Sequence, residues 1–145
     1  MTQRTFSVIE HGSEAYEQSL ALRDEVLRKP LGLQFSDEEL AREAEYHHLV
    51  CVEDGKVLGC VVLVPLENKT IRMRQVVVEP HFQSQGIGRA LVKIAEAFAR
   101  EQDYKTMTLN ARDTAKSFYD KLDYQTIGEP FVEVTVLHWH MQKTL

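Results

Sequence analysis

This chain of 145 residues reads as an α/β fold with the element order βααβββαβαββ. Three observations predict it. Residues 74–101 change their hydrophobic period halfway along. Val76, Val77 and Val78 make a β-branched run closed by Pro80; from Ile87 the apolar positions Ile87, Ala90, Leu91, Ile94, Ala95 and Phe98 take the three-and-four spacing of one helix face. Asp54-Gly55 separates two apolar runs and is a strong hairpin signal. Farther on, Ala115, Phe118, Tyr119 and Leu122 form one stripe of a short helix between strand-like segments.

The elements follow in order. Residues 5–10 are a first strand. Residues 13–28 are a helix with Tyr16, Leu20, Arg23 and Leu27 on one face, broken by Pro30 and Gly32. Ser36-Asp37-Glu38-Glu39 is a capping box that opens a second helix to about residue 46, its early acids well placed against the helix dipole. Strands at 48–53 and 56–65 flank the hairpin, and 70–78 pairs next. The long helix begins near Gly86. A strand at 105–110, the short helix and two closing strands, one around Thr126 and one over 131–142, complete the chain.

The length is that of one domain, residues 1–145, enough to bury a sizeable core. There is no linker, low-complexity tract or repeat, and no apolar run long enough to cross a bilayer. Met1-Thr2-Gln3-Arg4 leads into no signal-peptide core, so a cytoplasmic protein without a membrane partner is expected. Lys and Arg number 17 against 22 Asp and Glu, a net charge of −5 with no basic stripe, which argues against nucleic acid as a partner. An acidic balance suits a cationic amine substrate, but only weakly. Cys51 and Cys60 sit in apolar runs without metal-ligand spacing and read as reduced, buried thiols. His138-Trp139-His140 puts two histidines on one strand face without a third ligand, so no metal is expected.

The turn Gln83-Ser84-Gln85-Gly86-Ile87-Gly88 joins strand to helix. Glycines let its backbone approach a ligand, and first-turn N–H groups of a helix have no intrahelical partner, so the turn can hold an anion. A dinucleotide fingerprint needs Gly or Ala where Leu91 stands, and a P-loop needs Gly-Lys-Ser/Thr where Gly88-Arg89-Ala90 stands. The pattern Gln/Arg-x-x-Gly-x-Gly/Ala after a Val-x-Pro strand end fits at every position. Here the chain resembles the GNAT superfamily of acyl-coenzyme A dependent N-acyltransferases. The run from Asn110 to Tyr124 resembles that family's Asn-x-x-x-x-Ala-x-x-Phe-Tyr-x-Lys-Leu-Gly-Phe segment, with Asp123-Tyr124 in place of Gly-Phe. Gly would serve a left-handed C-cap there, and Asp tolerates that conformation at some strain. Residues 22–27, His48-Leu49 and residues 131–141 are similar to a group of small bacterial members. The segment Leu27-Arg28-Lys29-Pro30-Leu31-Gly32 departs from that group's Phe-x-x-Glu-Gln beside the expected acceptor site.

The resemblance implies a central mixed, mostly antiparallel sheet flanked by helices, with acetyl-coenzyme A as co-substrate. Main-chain N–H groups of Gln83, Ser84, Gln85, Gly86, Ile87, Gly88 and Arg89 are then expected to cradle the pyrophosphate. The pantetheine amides are expected to pair along Val76, Val77 and Val78, and Asn110 to reach the arm, with Ala115, Phe118 and Tyr119 completing the coenzyme contacts. Attack on the thioester needs a neutral amine, hence a base, and collapse of the intermediate expels a thiolate that a phenol can protonate. Tyr119 is the expected acid. For the base Glu133, His138, His48 and His81 stand open, Glu133 first and His138 next. Both cysteines precede Thr70, away from the expected thioester, so no covalent relay is expected. The implied activity is transfer of acetyl to a primary amine, of a small molecule or a protein, by direct attack in a ternary complex. A non-catalytic acyl-coenzyme A binding module is the alternative. Pairing of the final strand would allow a homodimer.

Overall fold

A computed structural model describes residues 3–145. In chain order the elements are β1 (Thr5–Ile9), α1 (Glu14–Arg23), α2 (Asp37–Arg42), β2 (His47–Glu53), β3 (Lys56–Pro65), β4 (Thr70–Val78), α3 (Ile87–Glu101), β5 (Thr106–Arg112), α4 (Lys116–Asp120), β6 (Gln125–Thr126), β7 (Phe131–Glu133) and β8 (Val136–Thr144). They form one mixed sheet in the order β1-β2-β3-β4-β5-β8-β6, with β7 also against β8. Every pair is antiparallel except β4 with β5. A parallel pair needs a crossover, and α3 supplies it.

The main core lies between the sheet and α3. Leu91 and Val92 are fully buried there against Leu49, Leu63 and Ile71, each large side chain contributing roughly 1.5–3 kcal/mol by leaving water. Gly59 lets α3 come close to β3: a Cβ in its place would stand 2.9 Å from Leu91 Cδ1. On the opposite face a smaller cluster of Val50, Val57, Cys60 and Val77 packs under Ala15, Leu22 and Val26. Val76 and Val78 belong to the first core and Val77 to the second, so the β-branched run is buried from both faces.

Local signals set several ends. Ser36 and Glu39 form the reciprocal capping box of α2, and Asp54 and Gly55 take φ of 53° and 74° in the β2–β3 turn. Asp123 sits at φ 72°, the left-handed position where Gly would be easiest.

Three elements differ from expectation. The first helix stops being α-helical at Arg23 and continues as a π turn, Asp24–Arg28, and a 3-10 turn, Lys29–Leu31, ending on Gly32 at φ 69°. The second ends at Arg42, followed by a 3-10 turn, Glu43–Glu45. The expected closing strand over 131–142 is two strands: Val134 and Thr135 reverse the chain at φ 48° and 62°. β-Branched residues rarely adopt that region, which is why neither residue signals a turn. The reversal also fills the last strand's edges: β8 carries β5 along one side and β7 and β6 along the other, leaving it little free edge for a second chain.

Candidate functional site

The site forms where β4 and β5 part. Their ladder holds only Thr70 with Thr106, Ile71 with Met107 and Arg72 with Thr108. Beyond Arg72 the strands separate, while the other edge of β4 stays tied to β3, Val77 opposite Cys60 and Val78 opposite Gly59. Main-chain groups on the open edge of β4 therefore have no strand to pair with. A cavity of about 540 Å³ fills the wedge, lined by residues 72–76 of β4, 109–112 of β5, and Ala115, Tyr119, Glu133 and His138.

Gln75 opens it. Its φ is 52°, and the ladder to β3 steps from Arg74–Val62 to Val77–Cys60 around it, a bulge that bends the strand. Side-chain alternation shifts by one there: Ile71 and Met73 before it, and Val76 and Val78 after it, all pack on the α3 side. Such a backbone costs on the order of 1–3 kcal/mol and persists only where the surroundings enforce it. The enforcement comes from α1. Arg23, fully buried, donates from Nη1 to Gln75 Oε1 at 2.6 Å and binds Glu43 through both terminal guanidinium nitrogens at 2.7 Å; the Tyr16 hydroxyl donates to Glu43 at 2.7 Å. Burial pushes the Glu43 carboxyl up, but the hydrogen bonds from Arg23 and Tyr16 outweigh it and hold it below the ordinary carboxylate range.

At the far end of β4 the glycine turn leads into α3. Ser84 and Gly86 both take left-handed backbone, φ 66° and 84°, with Gly86 as the N-cap. The N–H groups from Ser84 through Arg89 meet no acceptor within the described residues, which leaves six consecutive donors unpartnered at the positive end of a 15-residue helix. Gly88 lies in the gap between Phe118 and Val78, 3.6 Å from each by the position of its missing Cβ. Gln83 turns its side-chain amide onto Val78 O at 3.2 Å. Arg4, which no sequence signal marked, reaches this turn from just before β1: its guanidinium contacts the Gln85 side chain and pairs with Glu53 at 3.2 Å.

Tyr119, Glu133 and His138 come together on the cavity. Tyr119 is 8% exposed, packed edge-on against Phe118 and Tyr124, and its hydroxyl has no hydrogen-bond partner among the described residues. Burial raises its pKa, so the phenol stays protonated and free to donate. His138 is held at both faces of its chemistry: its ring stacks on Phe131, centroids 5.4 Å apart and planes 17° off parallel, and Nδ1 lies 2.8 Å from Val136 O. A carbonyl can only accept, so Nδ1 carries the proton of the neutral ring and Nε2 keeps the lone pair. Glu133 is exposed at the end of β7 and makes no ion pair among the described residues.

The other histidine candidates lie elsewhere. His48 is buried in the Arg23–Glu43 network, Nε2 2.8 Å from Glu43 O, and burial lowers its pKa; His81, 88% exposed, pairs with Glu79 beyond β4. Asn110 lines the cavity with Oδ1 taken by His140 at 2.6 Å. Cys60 stands on β3 opposite Val77, across β4 from the wedge, and does not line the cavity. Its thiol turns under α1 toward Ser19 O, and burial pushes it up to about 12. Cys51 is buried and also raised. Sequence reasoning missed Arg72, Arg74, Gln75 and Arg112, because a polar residue inside a strand shows nothing of where a neighbouring strand diverges.

A mixed sheet opened at its parallel pair, with a glycine turn feeding the crossover helix, is the fold of the acyl-coenzyme A N-acyltransferases. The chain belongs to the GNAT acetyltransferase family: the family model described as "Acetyltransferase (GNAT) domain" matches residues 14–145. It is 31% identical over 93 residues to N-acetyltransferase family 8 member 2 of Rattus norvegicus, a match that covers 59% of this chain and 41% of the rat protein. The chain thus spans less than half the length of that relative. An acyl-CoA N-acyltransferase structure from Pseudomonas aeruginosa superposes with a TM-score of 0.82 at 19% identity, covering 97% of this chain and 99% of that one. An aminoglycoside 6'-N-acetyltransferase complexed with coenzyme A gives 0.82 at 17%, covering 97% and 96%. At these identities the likeness is one of fold. No helix among the described residues is long and apolar enough to cross a membrane.

Proposed function

We propose that residues 1–145 act as one domain that transfers acetyl from acetyl-coenzyme A to a primary amine by direct attack in a ternary complex. The observation that carries this is the continuity of two features: six unpartnered N–H donors at residues 84–89, and an open β4 edge leading from them to a cavity with a free phenol. The donors suit a pyrophosphate, with Arg89 adding positive charge. The edge of Val76, Val77 and Val78 suits the pantetheine amides, which pair as a strand would. Family membership, and a fold neighbour complexed with coenzyme A, support the same ligand.

Chemistry then falls to the cavity. The amine nitrogen attacks the thioester carbon, forming the C–N bond, and passes its proton to a base. We assign the base to His138 Nε2 ahead of Glu133, because Phe131 and Val136 fix the ring and its tautomer; Glu133, on the same cavity, is the alternative. Collapse breaks the C–S bond, and the thiolate takes its proton from Tyr119. Isothermal titration with acetyl-coenzyme A, coenzyme A, NAD and ATP tests the binding half: only the first two should bind, and a response to NAD or ATP alone overturns the proposal. Binding with no coenzyme A release across an amine panel would favour the non-catalytic module.

A further inference from the structure

We infer that the acceptor is an amine that also carries an oxyanion group, carboxylate or phosphate, held by arginines on the acceptor side of the cavity. The inference rests on the acetyl-transfer proposal above and names its second substrate. Four arginines line the cavity, Arg28, Arg72, Arg74 and Arg112, against one carboxylate, Glu133. In a chain of net charge −5 that is a local reversal of sign, and it lies in a concave site rather than on a general basic surface.

Their geometry is convergent. Ile71 and Met73 of β4, and Met107, Leu109 and Ala111 of β5, pack into the α3 core, so Arg72, Arg74 and Arg112 project from the opposite face of the sheet. The π turn brings Arg28 to the same cavity, but its charge is already used: it pairs with Glu39 at 2.6 Å and lies over the Phe35 ring at 4.3 Å. The other three form no ion pair among the described residues. Arg112 gives only Nη2 to Leu27 O at 3.4 Å, and Arg72 Nε is buried with no hydrogen-bond partner. A buried donor without an acceptor is destabilising and is rare in folded proteins, so an arriving acceptor atom gains more there than on an open surface.

The coenzyme does not account for these charges. Its proposed phosphate site, residues 83–89, lies beyond the far end of β4, and none of those residues lines the cavity. Guanidinium forks match carboxylate and phosphate oxygens in pairs, while a second ammonium on the acceptor would meet like charge. The oxyanion therefore sits toward Arg72 and Arg112, and the amine toward Tyr119 and His138.

The test uses the full chain in three stages. Acetyl-coenzyme A is titrated first, by itself. Coenzyme-loaded protein is then titrated and assayed with α-amino acids, each paired with its amide, and with 2-aminoethyl phosphate and 1,3-diaminopropane. Acids or the aminophosphate should show kcat/KM at least about tenfold above their uncharged partners, the scale of one charge-assisted hydrogen bond, with the diamine poorest. Whichever of carboxylate and phosphate prevails identifies the oxyanion. Arg72→Gln should lower kcat/KM for the acid about tenfold more than for its amide. Arg74→Gln, at an exposed position, gives the same comparison if the first variant fails to fold. Preference for amides or the diamine, equal losses for acid and amide in the variants, or no binding of any oxyanion to the loaded protein would each overturn the inference. Loss of acetyl-coenzyme A binding in the first stage would instead overturn the acetyl-transfer proposal, and titration of the unloaded protein with the acids still decides the anion site.

Discussion

Arg23 Nη1 stands 2.6 Å from Gln75 Oε1, and through that bond a buried ion pair grips the only residue of β4 in the left-handed region. The bend at Gln75 follows Arg72, the last β4 residue paired with β5, and Gln75 lines the cavity. A contact between α1 and mid-sheet thus holds one residue of a cavity whose walls come mostly from other elements.

Removing Arg23 should accordingly do two separable things. Arg23→Ala leaves Glu43 buried without its counter-ion and should cost about 3–5 kcal/mol, read by urea denaturation. Arg23→Met with Glu43→Leu should regain much of that stability, since hydrophobic replacement of a buried pair is often neutral. Turnover should stay low in the double variant, because Gln75 still lacks its donor. Full recovery of turnover would make Arg23 a packing residue only.

Stability should fall with pH in two steps. Burial depresses the pKa of His48 below its ordinary value of 6.5, so the unfolded chain takes up that proton first, and stability declines as pH drops from about 6.5 toward the lower folded value. His47, also depressed by burial, adds to this limb. Glu43 is held low as well; its contribution is present above the ordinary carboxylate value and is lost as pH falls further, through its folded value. Urea midpoints between pH 8 and 3 would measure both steps, and His48→Gln should flatten the upper one. A stability that rises between pH 6.5 and 5 contradicts the assignment.

Tyr119→Phe removes one oxygen from a side chain already packed edge-on. Turnover should drop by ~10²-fold with acetyl-coenzyme A affinity little changed, the usual scale of a general acid. Because burial raises this phenol, the wild-type rate should not decline through Tyr119 ionisation below about pH 10, the ordinary phenol value. An unchanged rate in the variant, with product release shown not to limit it, demotes Tyr119 to packing.

The two glycines of the turn should separate stability from binding. Gly86→Val forces a β-branched residue to φ 84° and should cost roughly 1–2 kcal/mol. At Gly88 a Cβ meets Phe118 and Val78 at ordinary contact distance, so Gly88→Ala should be neutral or stabilising. Gly88→Val extends into the gap between those residues. Both valine variants should lose acetyl-coenzyme A binding by calorimetry, and folded protein that binds normally in both cases would remove the turn from the site.

Initial-rate plots should intersect, as sequential kinetics require, and the Cys51→Ala, Cys60→Ala double variant should remain active. Cys60 lies across β4 from the wedge, and its thiol is buried under α1 and pushed up to about 12, so it offers no thiolate. Parallel lines together with an acetylated cysteine trapped before amine is added would exclude direct transfer.

What the sequence determined by itself is what short-range physics encodes. The β-branched run at Val76–Val78, the helical stripe from Ile87, the capping box at Ser36 and the Asp54-Gly55 turn each depend on neighbours within a few residues, and each stands where that chemistry puts it. Tertiary structure decided the rest. The turn at Val134 and Thr135 runs against local preference, and the ladder between β7 and β8 holds the residues in it. The left-handed Gln75, just past the place where β4 leaves β5, is held by a bond from α1, 52 residues away in the chain. Arg72, Arg74 and Arg112 carry no signal on their own strands; they become a cationic wall only in the cavity where two strands diverge, and none of the three forms an ion pair among the described residues. A sequence pattern carries spacing along the chain, whereas a binding cavity is made of distances across it.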